Sequence, residues 1–292
     1  VTTGGPWWAA AAGARFPELV TIHELAHQWF QGLVASNERE YPFLDEGLTS
    51  YAEVDAMDEL APGSTVSRVL GLSLDTSPFY RTRSSEAAHH GVVARPARDF
   101  TLASDYGALV YGRTATLLRT LDRVYPGELR RTLGVYARQF RFGHPRPEDL
   151  LAVVRSEMGD VAADALRLGL MERGTVDFVV RNVQSSGLGD GRYRVEVELA
   201  RAGSIVLPVE IDVVDDAGEV HRIRWDGVGP GVVLSLETTS PAARVVVDPD
   251  LRVLCDDDLF DNTWSARSAP TAGRTLGTAS FVARALFAGV GP

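Results

Sequence analysis

Two histidines four residues apart, with a glutamate beside the first, carry the chemistry that this sequence suggests. They lie in Val20-Thr21-Ile22-His23-Glu24-Leu25-Ala26-His27-Gln28-Trp29-Phe30. On a helix, positions i and i+4 share one face, so the imidazoles of His23 and His27 can point at a single metal ion. Glu24 stands at the edge of that face. There it can reach a water beside the metal without being a ligand, the arrangement that metal-dependent hydrolysis uses. A catalytic zinc needs a third protein ligand and one position left open. Glu46, separated from His27 by eighteen residues, is the candidate, because it opens a second helical stretch.

The elements that must position these side chains are mostly helical. The first helix is expected over 17–33, with Pro17 at a favoured first position. Residues 34–42 connect, and the second helix runs over 46–60, with Asp45 as its N-cap and also a candidate to stand behind the metal site or line its cleft, and Ala61-Pro62-Gly63 as its stop. Glu53 falls seven residues after Glu46, on nearly the same helical face. From there it can orient a metal-bound imidazole through the free ring N–H. A further helix is expected over 64–74. Residues 75–104 read as a long loop or short helices, with the adjacent His89 and His90 at the surface or lining a cleft. Apolar spacing of three and four predicts a helix over 106–121, and three more follow over 128–142, 147–158 and 161–172. Trp7 and Trp8 are read as packing residues.

After residue 174 the pattern changes from helical period to alternation. Six or seven short strands are expected, among them 175–181, 193–199, 206–213, 220–225, 231–236 and 244–247. Turn signals such as Gly189-Asp190-Gly191 stand between them, and the spacing suggests a small β-sandwich. His221 alternates with apolar residues and is assigned to the solvent face. Asp256, Asp257, Asp258 and Asp261 are read as a solvated turn, since their spacing lacks a calcium-loop pattern. The expected class is α+β, with a helical domain over 1–174, a β-sandwich over 175–255 and an irregular tail over 256–292.

Composition narrows the partners. The net charge of −10 argues against nucleic acid. A single cysteine, Cys255, excludes an internal disulfide framework and a cysteine-rich zinc site. The start has neither a basic region nor a long apolar core, so no signal peptide is read there. The apolar stretch over 275–291 is broken by Arg284 and is too short to call a membrane span. The chain reads as excised from a longer protein, a membrane-tethered one included, and its compartment stays open.

His23-Glu24-Leu25-Ala26-His27, the eighteen-residue gap, and Asp45-Glu46-Gly47 with Ser50-Tyr51-Ala52-Glu53 resemble the gluzincin metallopeptidases of the aminopeptidase N type. That family has a tyrosine in a Tyr-x-Lys-Gly-Ala context. Val110-Tyr111-Gly112-Arg113-Thr114-Ala115 is similar, with Arg for Lys and Thr for Gly. The resemblance implies a thermolysin-like helical domain followed by a β-sandwich, and one Zn2+ per chain on His23, His27 and Glu46. It implies Glu24 as the base, Tyr111 as the catalytic tyrosine and Tyr106 as a second recurrent tyrosine. Peptides are the implied substrates, and an upstream domain of a longer protein a further contact. The family's Gly-x-Met-Glu-Asn stretch, which binds the substrate's amino terminus, is absent. Aminopeptidase, endopeptidase and a zinc-binding but catalytically incomplete interaction module therefore stay open.

Overall fold

A computed structural model describes residues 15–62, 66–69, 72–87 and 91–267. Trp7, Trp8, His89, His90 and the 275–291 stretch lie outside the described residues. The chain divides after Arg173 into two compact units.

The first unit is helical. Helix α1 (Phe16–Ala26) has Pro17 in its first turn. It is shorter than the expected 17–33 helix. After Ala26 the backbone tightens, with Gln28 and Trp29 donating to Leu25 and Ala26 at 3.0 and 2.9 Å. Gly32 N–H then closes a six-residue turn onto the His27 carbonyl at 2.8 Å, and Gln31 takes a positive φ of 103°. A methyl at Gly32 would lie 2.8 Å from the Gln28 carbonyl oxygen, so a glycine is needed for this reversal. The turn returns the chain toward α2 (Glu46–Leu60).

The expected helix over 64–74 is not formed. Strands β1 (Ser67–Val69) and β2 (Leu72–Leu74) pair antiparallel there. Gly71 and the β-branched Thr65, Val66 and Val69 weaken a helix over so short a stretch. Within 75–104, expected as a long loop or short helices, lies a 12-residue helix, α3 (Thr76–Ala87). Helix α4 (Ala103–Tyr106) passes through a π-helical stretch, Gly107–Arg113, into α5 (Thr114–Val124). Then come α6 (Glu128–Gln139), α7 (Pro147–Met158) and α8 (Asp160–Leu166), the last followed by a second π-helical stretch, Arg167–Met171.

Two sets of contacts fix α2, the helix on which the third candidate ligand sits. Leu19 of α1 packs with Met57, Ala61 and Val66, and Val54 packs with Tyr80 and Ala115. Each buried apolar side chain of this kind contributes about 1.5–3 kcal/mol. On its other side, half-buried Arg119 of α5 reaches Asp55 at 3.0 Å, Asp122 at 2.7 Å and Asp58, while Arg130 of α6 reaches Asp55 at 2.8 Å and Glu59 at 3.1 Å. A network with several arms holds orientation better than an isolated surface pair.

The second unit holds two antiparallel sheets. One has the order β3-β4-β7, built from β3 (Phe178–Gly189), β4 (Arg192–Arg201) and β7 (Gly231–Thr238). The other has the order β6-β5-β8-β9, from β5 (Val209–Asp215), β6 (Val220–Trp225), β8 (Ala242–Val247) and β9 (Thr263–Ser265). Val195, Val197 and Leu199 of β4 and Val209, Ile211 and Val213 of β5 alternate into the core. Phe178 and Trp225 meet edge to face between the sheets, with ring centroids 5.8 Å apart.

Two sequence expectations are corrected here. Residues after 255 are not irregular throughout, because Thr263–Ser265 adds a strand to β8. The acidic run is not simply a solvated turn either. Asp256 is buried and accepts from Asn262 Nδ2 at 3.0 Å and from the backbone N–H groups of Asp258 at 3.2 Å and Phe178 at 3.4 Å. Its burial pushes that carboxyl up to about 7.

Gly47 sits where α2 crosses the π-helical stretch and α5. A methyl there would lie 2.6 Å from Thr114 Cγ2 and 2.8 Å from the Val110 carbonyl oxygen. Gly47→Ala gains about 1 kcal/mol in helix propensity, but the forced overpacking costs about 1–3 kcal/mol. Denaturant titration should therefore find the variant less stable than the parent. A raised midpoint would mean that α2 can shift without cost.

Candidate metal centre

His23 lies one turn before the end of α1, and His27 is its C-cap residue. Glu46 is the first residue of α2. The structure brings these three together, each offering one atom within 4.8 Å of the others. His23 Nε2 is 3.0 Å and His27 Nε2 3.5 Å from the same Glu46 oxygen, Oε2. The two rings stand edge to face with centroids 4.9 Å apart.

The outer nitrogens explain why the rings hold this pose. His23 Nδ1 meets Glu53 Oε2 at 3.1 Å, and His27 Nδ1 meets Asp45 Oδ1 at 2.7 Å. Glu53 and Asp45 are 5% and 3% exposed. Asp45 occupies the N-cap position of α2 but makes no side-chain cap hydrogen bond. Its carboxylate goes to His27 instead, so of the two places the sequence offered Asp45 the cap bond is not formed. Glu46 and Glu53 lie two turns apart on one face of α2, so one carboxylate meets the inner nitrogen of His23 and the other the outer.

This donor set fits a divalent metal. An imidazole that gives its Nδ1 proton to a carboxylate is left, when neutral, with an acceptor lone pair at Nε2. Two such lone pairs facing one carboxylate oxygen repel unless a cation lies among them. Atoms bound to one tetrahedral zinc at about 2.0–2.1 Å lie about 3.3 Å apart, close to the separations found here. A proton on His23 can answer the same negative charge that a cation would. Burial lowers the affinity of His23 for a proton, but Glu46 and Glu53 outweigh it and lift its pKa to about 9. Glu46 would be raised by burial, yet its contacts with His23 and Tyr111 bring it below the ordinary range. Asp45 is pushed up to about 6 by burial, against the pull of His27.

Tyr111 belongs to the π-helical stretch, where one extra residue per turn re-aims side chains. Its ring stacks on that of His23, with centroids 5.8 Å apart and planes at 25°, and its hydroxyl bonds to Glu46. Burial, and then the charge of Glu46, push the hydroxyl far above its ordinary value, so it stays protonated as a donor. Tyr106 meets the Tyr111 ring at 5.9 Å, on the side of Phe100. Burial raises its hydroxyl to about 12. Glu24 is solvent-exposed and makes no hydrogen bond or ion pair among the described residues.

Tyr80 was not found by sequence reasoning. It is buried on α3 and donates its hydroxyl to Glu53 Oε2 at 3.1 Å, so that carboxylate is held from two sides. The signal was weak, because Ser77-Pro78 concealed the helix on which Tyr80 lies.

The profile of the Peptidase family M1 domain matches residues 8–169, and the chain belongs to that family. Aminopeptidase M1-C of Oryza sativa subsp. japonica is 24% identical over 168 residues, 56% of this chain and 19% of that protein. Aminopeptidase 2, mitochondrial, of Saccharomyces cerevisiae is 26% identical over 218 residues, 74% of this chain and 22% of its own length. Tricorn protease-interacting factor F2 of Thermoplasma volcanium is 22% identical over 253 residues, 85% of this chain and 30% of its own length. Among solved structures, Legionella pneumophila aminopeptidase A in complex with aspartic acid has the same fold over 83% of this chain and 27% of that one, with a TM-score of 0.57 and 15% identity. This chain thus spans between 19% and 30% of the length of these relatives.

The hydrogen bond from His23 to Glu53 makes a separable prediction. Glu53→Gln keeps the shape but removes the charge that fixes the tautomer, so zinc affinity should fall about 10–100-fold while far-ultraviolet circular dichroism stays unchanged. Undiminished affinity in a competitive chelator titration would remove Glu53 from the site.

Proposed function

We propose that this chain carries the catalytic centre of a zinc-dependent peptide hydrolase, an aminopeptidase in its finer assignment. The convergence of His23 Nε2, His27 Nε2 and Glu46 Oε2, with both outer nitrogens tied to buried carboxylates, carries this reading. Membership of the M1 family supports the reaction class. The names of the relatives support the amino-terminal preference.

His23, His27 and Glu46 would hold the zinc, with Asp45 and Glu53 keeping the imidazoles in the ligating tautomer. Zinc in such a site supplies Lewis acidity and lowers the pKa of water to about 7. Glu24 faces solvent beside the ligands and is free to take a proton from the attacking water, then pass it to the leaving amine. Tyr111 presents a protonated hydroxyl next to Glu46, where it can donate to the oxyanion that develops on the peptide carbonyl. A single donor of this type is worth about 3 kcal/mol. Its stacking on the His23 ring limits where that hydroxyl can point.

Glu24→Gln should retain zinc and lose peptide hydrolysis by about 100-fold or more, as expected for removal of a general base. Tyr111→Phe should lower kcat by about 100-fold with zinc content unchanged. Full turnover in Glu24→Gln would refute its role. Parallel assays on peptides with free and acetylated amino termini separate the finer assignment: a preference for the free amine is expected of an aminopeptidase, and equal rates would indicate an endopeptidase.

A further inference from the structure

His221 does not face solvent, contrary to the alternation argument. It pairs directly with Val213 across the β5–β6 ladder, and cross-strand partners share a face of the sheet. Val213 is buried, and so is Asp215, the last residue of β5 in the same alternating series. Asp215 and His221 therefore share the inner face at one end of the sheet, where apolar residues occupy the rest of the series.

The Asp215 side chain is 0% exposed. Its Oδ1 accepts from the backbone N–H groups of Ala217 at 3.0 Å and Glu219 at 2.9 Å. Its Oδ2 has no hydrogen-bond partner, and neither has His221 Nε2, which lies 3.6 Å away. That gap is too long for a hydrogen bond. The Ser240 hydroxyl and the His221 ring both approach this carboxylate and help hold its pKa below the ordinary range, yet neither reaches hydrogen-bonding geometry at Oδ2. Two buried polar atoms left facing each other are costly, and native structures rarely keep such pairs without a ligand, a water or an ion. Glu219, exposed on the turn, brings a third ligand atom, so that all three lie within 4.8 Å of one another.

We propose that Asp215, Glu219 and His221 form a second divalent-cation site, on the β5–β6 hairpin, for an ion of the zinc class. An imidazole nitrogen with two carboxylates favours such ions over calcium or magnesium. The 3.6 Å between Oδ2 and Nε2 is near the spacing of two ligands on one small cation. Exposure of Glu219 opens the site to solvent on one side. The ion closes the end of the hairpin by joining the first residue of the turn to the second strand. The site shares no residue with the centre on α1 and α2, so it stands or falls independently of the proposed hydrolase.

The test counts zinc in the full chain, equilibrated with micromolar free zinc and analysed by mass spectrometry of the metal. Wild type should hold one more zinc per chain than His221→Ala. Asp215→Asn should show the same loss, because the amide oxygen can still accept from Ala217 and Glu219 and so preserve the turn. In chelator, wild type and Asp215→Asn should unfold at similar temperatures, and zinc should raise the wild type more than either variant. Equal zinc content in wild type and both variants would overturn the proposal and leave His221 as the partner of Asp215 in an ion pair only.

Discussion

Each imidazole of the proposed metal centre is held by a carboxylate on its far side, and the site depends on that pairing. A histidine on a helix face can rotate about two bonds and present either nitrogen. Here Glu53 and Asp45 take the Nδ1 of His23 and His27, which leaves both Nε2 atoms directed at Glu46. Both holding carboxylates are buried, so the pairings are little screened by water. Everything that fixes α2 against its neighbours serves this geometry, because Glu46, Glu53 and Asp45 all lie on or next to that helix.

The fold supplies the support in layers. The apolar contacts of Leu19, Met57 and Val54 set the separation of α1 and α2, and the Arg119 network holds the opposite side of α2. The reversal at Gly32 sends the chain back after His27, so that it can reach Glu46 across eighteen intervening residues. The π-helical stretch places Tyr111 over His23, and a regular helix would turn that side chain elsewhere. The Gln31-Gly32 reversal and the π-helical stretch over Gly107–Arg113 thus both serve this region.

Much of this was legible in the sequence, for reasons that differ by residue. The spacing of His23 and His27 encodes a shared helical face, and Glu46 at the start of a helix is a local signal. The change from helical period to alternation near residue 174 is visible because burial on one face imposes it, and it gave the α+β class. The partners of the imidazoles were harder. Asp45 reads both as a cap and as a candidate behind the site, and only the tertiary placement of His27 decides where its carboxylate goes. Tyr80 needed a helix that Ser-Pro punctuation hid. His221 shows the limit of alternation: its neighbours Val220 and Arg222 are the exposed ones, and its register opposite Val213 cannot be read from one strand alone.

The central claim is that three named atoms from two helices meet one metal. Crystals of the zinc-loaded chain, measured at the zinc absorption edge, test it directly through the anomalous difference map. A peak bonded at about 2.0–2.2 Å to His23 Nε2, His27 Nε2 and a Glu46 oxygen is the predicted result. A map with no peak there, or with zinc on the Nδ1 atoms in place of Asp45 and Glu53, would contradict it.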